Sequence, residues 1–337
     1  MNSLERVAAA LRFHTPDRVP VMAQVFGHAA TLAGVKLGDY VRDGALLARC
    51  QIHALEYYGY DAVFALMDVG VETEAIGSTL TYRDNQYPFV QSYVLAGGVN
   101  LDDLDVPDPW RAGRMPEILK AASILRQEVG RDVPVVGCVM GPMTLATQML
   151  GIERALYLAI DQPERFAHLL DFAAEVAIRF GLAQLEAGAH LPIVFDPSSS
   201  PDVIPPAFYR EFALPRLTRV FAAFKQAGSM VNWLHTAGMA APILPFYPRA
   251  GVELANIDFS VDPQHAMQSL PHTCLDGNIK TLAFVDATPA EIAAESSRLL
   301  TLFANRGGFI LSSGCEIPPE SKPENIAAMV LSTRQPR

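Results

Sequence analysis

VPVVGCVMGPMTLATQMLG, residues 133–151, reads as one βα unit. Its first half is apolar at nearly every position rather than at every second one. That is the pattern of a strand covered on both faces. Gly141 and Pro142 then turn the chain into a helix, with Pro at its first position. The free N–H groups of such a helix start can receive an anion or a polar amide, so Gly141, Pro142, Met143 and Thr144 are candidate ligand contacts. An ordinary Pro-initiated helix is the plainer alternative.

Working outward, the same alternation repeats. Short apolar runs begin at Val19, Asp61, Val133, His190, Met230, Gly251, His272 and Gly307, each closed by Gly, Asp, Ser, Asn or a similar breaker. Amphipathic segments lie between them. DGALLARCQIHALEYYG and MPEILKAASILRQEVG end in Gly, as helices do. Eight strand runs, most followed by a helix, predict an α/β fold of the (β/α)8 TIM-barrel kind, a single domain over 1–337. A doubly wound open sheet is the alternative. One segment, GSTLTYRDNQYPFVQSYV from Gly77, breaks the alternation and predicts a β-hairpin inserted after strand 2.

Composition narrows the function. The chain has 337 residues, is 50% hydrophobic and carries a formal charge of -10. It shows no basic block, so nucleic acid is not an expected partner. No apolar run is long enough to span a membrane. The N-terminal MNSLERVAAALRF predicts a helix capped by Ser3 rather than a leader. Four cysteines, Cys50, Cys138, Cys274 and Cys315, lack any CxxC spacing, which suggests reduced thiols and a cytoplasmic protein.

Barrel chemistry gathers at the C-terminal ends of strands. Those ends carry Gln24, Asp68, Gly141 to Thr144, Asp196, His235, Asp258, Asn278, Cys315 and Glu316. His235 closes MVNWLH and Cys315 follows GGFILSSG, two soft-metal ligands at two strand ends. Zinc needs three or four ligands, and Asp258, then Glu316, are the candidates to complete the set. Without a metal, His235 suits a general acid or base near neutral pH. Taken singly, His235 and Cys315 also fit a hydrogen-bonded core histidine and a small buried hydrophobe. Cys274 is expected within its strand, in the core. Asp68 and Glu74 make the rim acidic, with Glu72 between them, which would suit a cationic or neutral substrate.

The pieces ERVAAALRFHTPDRVPV, YGYDAVFALMDVGVETEAIG, GPMTLATQML, LHTAGM, LDGNI and GGFILSSGCEIPPESKPENI together resemble the uroporphyrinogen decarboxylase superfamily. Within it the chain is most similar to the branch of methylcobalamin:coenzyme M methyltransferases. The resemblance covers essentially the whole chain and implies a (β/α)8 barrel. It implies corrinoid-dependent methyl or alkyl transfer between a methylated cobamide and a small acceptor, with a corrinoid-carrying partner protein. The chain itself lacks the DxHxxG signature that donates a histidine to cobalt. That branch holds zinc through His-x-Cys and a later Cys. His235 and Cys315 match two of the three, and Ala237 stands at the third. On the methyltransferase reading Asp68 and Glu74 would shape the pocket or shuttle a proton, and Gly141 to Thr144 and Asn278 would face the corrinoid or substrate. Family members often pair as homodimers. The decarboxylase activity itself would need cations after strand one, yet residues 19–34, VPVMAQVFGHAATLAG, contain no Arg or Lys. A non-catalytic binding protein on the same barrel is the third reading.

Overall fold

The computed structural model describes residues 1–334. Among the described residues nine strands form: β1 (Val63–Phe64), β2 (Thr79–Arg83), β3 (Gln86–Ser92), β4 (Val135–Met140), β5 (Leu191–Phe195), β6 (Trp233–His235), β7 (Leu254–Ile257), β8 (Cys274–Ile279) and β9 (Phe309–Ser313). Seven of them make one parallel sheet in the order β1-β4-β5-β6-β7-β8-β9. β2 and β3 form a separate antiparallel pair with Leu80 opposite Val90.

The eight-strand expectation is corrected at the first run. Residues 20–22 form a bridge, not a strand. Leu311 N–H donates to Pro20 O at 2.9 Å and Met22 N–H to Leu311 O at 3.1 Å. On the other side Asp61 N–H donates to Val21 O at 2.7 Å. Pro20 has no N–H to offer, and Val25 N–H turns back onto Ala23 O at 2.7 Å. The run therefore cannot extend a ladder. It spans from β9 to Asp61, two residues before β1, so the sheet curls as seven strands and a bridging segment.

Asp61 anchors that closure. Its buried carboxylate accepts from Arg6 Nη1 at 2.8 Å, Arg18 Nη1 at 2.7 Å, Ser3 Oγ at 2.8 Å and Val21 N–H at 2.8 Å. The first helix, Ser3–Leu11, is tied to the sheet by this group. Its cap is Asn2 rather than Ser3: Glu5 N–H donates to Asn2 Oδ1 at 2.8 Å, and the Glu5 carboxylate accepts the Asn2 N–H at 3.0 Å. This reciprocal pair satisfies two helix-start donors. Ser3 is drawn off by Asp61.

The long helices fall where the sequence patterns put them. Gly44–Tyr58 is capped by Asp43 and stopped by Gly59, whose φ of 69° is left-handed. Met115–Glu128, Pro163–Glu186, Pro289–Phe303 and Pro323–Ser332 cover the sheet. Beneath the strand ends Phe26, Phe64, Phe195 and Trp233 pack together. Phe26 meets Phe64 edge-on at 5.0 Å, and Phe64 lies 6.2 Å from Trp233. Each such buried ring contributes about 1.5–3 kcal/mol by burial. This plug closes the floor below the mouth. All four cysteines are free thiols, and Cys274 is buried in β8. Among the described residues no helix is long and apolar enough to cross a membrane.

Candidate functional site at the mouth of the curled sheet

β6 ends on His235, which is 1% exposed and packs on Phe195 with ring centroids 4.8 Å apart. Burial pushes the imidazole down to about 4, opposed by the neighbouring Asn256 side chain and by the Asp258 charge. The ring is therefore neutral at pH 7. Its Nδ1 is buried with no hydrogen-bond partner. Asp258 follows β7 and accepts the Ser260 N–H at 2.8 Å. Cys315 follows β9 and is partly exposed. Burial pushes its thiol up to about 11, and the Asp258 charge also raises it. One carboxylate thus acts on both the imidazole and the sulfur.

The expected metal set does not assemble. Among the described residues no group of three or more His, Cys, Asp or Glu side chains is placed to hold a metal ion. Glu316 is engaged elsewhere: its Oε1 accepts the Tyr87 hydroxyl from β3 and the Gly27 N–H at 3.5 Å. Burial pushes this carboxyl up to about 7. Ala237 offers only a methyl group two residues past His235. His235, Cys315, Asp258 and Glu316 therefore do not fit a tetrahedral zinc centre, which needs at least three converging donors.

The acidic rim is also neutralised. Arg114, beside the start of helix Met115–Glu128, is 9% exposed and reaches back over the mouth. Its Nε donates to Glu74 at 2.6 Å, Nη2 to Asp68 at 3.2 Å, and Nη1 to both Asp68 and Val41 O. The Tyr82 hydroxyl from β2 donates to Glu74 as well. Asp68 and Glu74 thus share one buried cation, and the rim does not present two free negative charges. Glu72 turns the other way and accepts the Met140 N–H at 2.8 Å; burial pushes it up to about 7. Arg114 was not legible as a site residue, because it lies in a polar loop far from any strand end.

The helix start at Pro142 has an internal partner. Asp196, at the end of β5, accepts the Thr144 N–H at 2.8 Å and the Thr144 hydroxyl at 2.9 Å. Burial pushes its carboxyl up to about 6, against those bonds. A Cβ on Gly141 would sit 2.3 Å from the Asp196 side chain, so glycine is what lets the two strand ends approach. Gly141→Ala is expected to cost about 1–3 kcal/mol of unfolding free energy, since the displaced groups have no room to move. Chemical denaturation checks it, and an unchanged midpoint would contradict the close approach. Asn278 likewise serves the loops: its Nδ2 donates to Asp258 O at 3.2 Å and Val261 O at 2.9 Å.

Two mouth residues escaped the sequence reading, Asn256 in β7 and Asp276 in β8. Both are polar interruptions of apolar strand runs, ANI and CLDGN, and that interruption was the available signal. Trp233 Nε1 donates to Asp276 Oδ1 at 2.9 Å, and Asn256 Nδ2 donates to Asp276 Oδ2 at 2.7 Å. Burial pushes Asp276 up to about 7.

A parallel sheet curled around an aromatic floor, with buried polar groups at its strand ends, defines an α/β enzyme of the TIM-barrel type. The chain belongs to the uroporphyrinogen decarboxylase family: the family model "Uroporphyrinogen decarboxylase (URO-D)" matches residues 2–335. It is similar to the methylcobamide:CoM methyltransferase MtbA of Methanosarcina mazei, 29% identical over 335 residues, covering 97% of this chain and 96% of the relative. It is 30% identical to the methylcobamide:CoM methyltransferase MtaA of Methanosarcina barkeri, covering 96% and 95%. A solved methyltransferase from Methanosarcina mazei superposes with a TM-score of 0.90 at 27% identity, over 99% of this chain and 98% of that one.

Proposed function

We propose that this protein moves a methyl or alkyl group between a methylated cobamide and a small acceptor bound at the mouth, as a single cytoplasmic domain. The observation that carries the reading is the similarity over nearly the whole chain to methyltransferases that act on methylcobamide. A corrinoid-carrying protein is the proposed partner, with Gly141 to Thr144 and Asn278 on the loops that would face it. In the transfer the acceptor X–H gives up its proton, the freed pair on X takes the methyl group, and the carbon–cobalt pair stays on cobalt. Neutral His235 is the proposed taker of that proton; burial makes it a weak base, and the nearby Asp258 carboxylate favours the imidazolium once formed. Cys315 borders the same space. The tyrosines of the antiparallel pair, Tyr82 and Tyr87, bind rim carboxylates and so hold it against the mouth. Because the donors do not converge, no step is routed through zinc.

The test mixes the folded protein with methylcobalamin and a panel of thiols and follows loss of the methyl–cobalt absorbance together with the methylated product. Transfer at sub-stoichiometric zinc is expected. Transfer abolished by a chelator and restored by zinc would show the donor argument wrong. No methyl loss with any acceptor sinks the proposal and leaves a binding protein. Uroporphyrinogen is expected to remain unchanged, because residues 19–34 carry no cation and Arg114 is already shared by two carboxylates.

A further inference from the structure

Phe195 and His235 are register partners at the ends of β5 and β6, and their rings pack on each other. Asp196 N–H donates to His235 O at 2.9 Å, so the pairing runs one residue further. Side chains alternate along strands, which turns Asp196 and Thr236 away from the mouth and toward the helices outside it. Two tyrosines come from that side. Tyr209 starts the π-helical turn Tyr209–Ala213, a widened turn of a kind found mostly at functional sites. Tyr247 starts the helix Tyr247–Ala250. Their ring centroids lie 6.5 Å apart. The Asp196 charge acts on both phenols, and the Thr236 hydroxyl neighbours that of Tyr247.

None of these four side chains is more than 1% exposed. Asp196 Oδ2, Thr236 Oγ1, Tyr209 Oη and Tyr247 Oη all lack a hydrogen-bond partner. Buried polar groups in folded proteins are satisfied, so four orphaned oxygens in one place call for an occupant. The carboxylate decides its charge. Asp196 Oδ1 is held by the N–H and hydroxyl of Thr144, and among the described residues no Lys, Arg or His side chain pairs with Asp196. A buried carboxylate without a counter-charge is costly. A water would bridge the oxygens but bring no charge. Oxygen donors alone suit a hard ion, and a single carboxylate matches one positive charge rather than two.

We infer that Asp196, Thr236, Tyr209 and Tyr247 form a site for a small monovalent cation, sodium, potassium or ammonium, between the ends of β5 and β6 and the helices outside them. The site goes beyond the proposed function and does not rest on it. It joins two strand ends to two helical segments. Through the other oxygen of Asp196 it also braces Thr144 and the turn at Gly141. A stripe of packed apolar side chains would do the same without any dependence on salt.

The test is thermal unfolding of the full chain at pH 8, above the value of about 6 to which burial pushes the Asp196 carboxyl. Sodium, potassium and ammonium chloride are titrated separately, with ionic strength held by tetramethylammonium chloride, whose cation is too bulky for the site. One of the small cations is expected to raise Tm along a saturating curve, and the one that acts at the lowest concentration is the occupant. Tyr209→Phe and Tyr247→Phe each remove one oxygen and should raise the half-saturating concentration about tenfold or more, the worth of one polar contact to a charged group. Asp196→Asn should abolish the dependence, and the two tyrosine variants keep the test alive if it does not fold. The same Tm in every salt, or a cation effect undiminished in both tyrosine variants, overturns the inference and leaves bridging water among the four oxygens. The readout involves no methyl transfer, so it stands or falls apart from the functional reading.

Discussion

His235→Ala is expected to lower methyl transfer from methylcobalamin by about 10²–10⁴-fold, the usual worth of a positioned proton acceptor. The fold should survive, because the aromatic floor keeps its own contacts, Phe26 on Phe64 and Phe195, and Phe64 on Trp233. Among the described residues, the replacement removes the only histidine at a C-terminal strand end of the seven-stranded sheet. The loss should fall mainly in kcat, since the proton moves in the transition state and little of the substrate's binding depends on it. Steady-state kinetics with a thiol acceptor checks this. A folded variant with kcat within about threefold of wild type would remove His235 from the chemistry.

Arg114→Met should cost about 3–5 kcal/mol of unfolding free energy, the range for breaking a buried ion pair from one side. Arg114 serves Asp68, Glu74 and Val41 O at once, and the Asp68 side chain is 1% exposed. Taking the cation away leaves that carboxylate in the interior with no counter-charge. Arg114→Lys should recover only part of the loss, because an ammonium cannot span the two carboxylates as a planar fork does. The double variant Arg114→Met/Asp68→Leu should be more stable than Arg114→Met alone, since only the partly exposed Glu74 then lacks its cation. Denaturant unfolding of the three proteins decides it. If Arg114→Met unfolds within about 0.5 kcal/mol of wild type, the cluster is no more than a surface contact.

The sequence was informative wherever chemistry follows from local pattern. Apolar runs such as VVGCVM and FILSS became strands because burial on both faces demands apolar residues throughout. Gly59 stopped its helix because only glycine enters the left-handed region without strain. The placement of His235 and Cys315 at strand ends was also legible, since strand polarity in such sheets puts chemistry at one rim. The first run misled because Pro20 removes a ladder donor while keeping the run's apolar look.

What the amino-acid order by itself determined was the α/β alternation, the parallel sheet and the residues delivered to its rim. The tertiary structure alone decided which rim groups face one another. It turned Glu316 to Tyr87, closed Arg114 over Asp68 and Glu74, and set Asp276 against Asn256. The physical reason is distance along the chain. Periodicity reports which face of its own element a side chain occupies, whereas pairing depends on strand register and loop reach between segments tens to hundreds of residues apart.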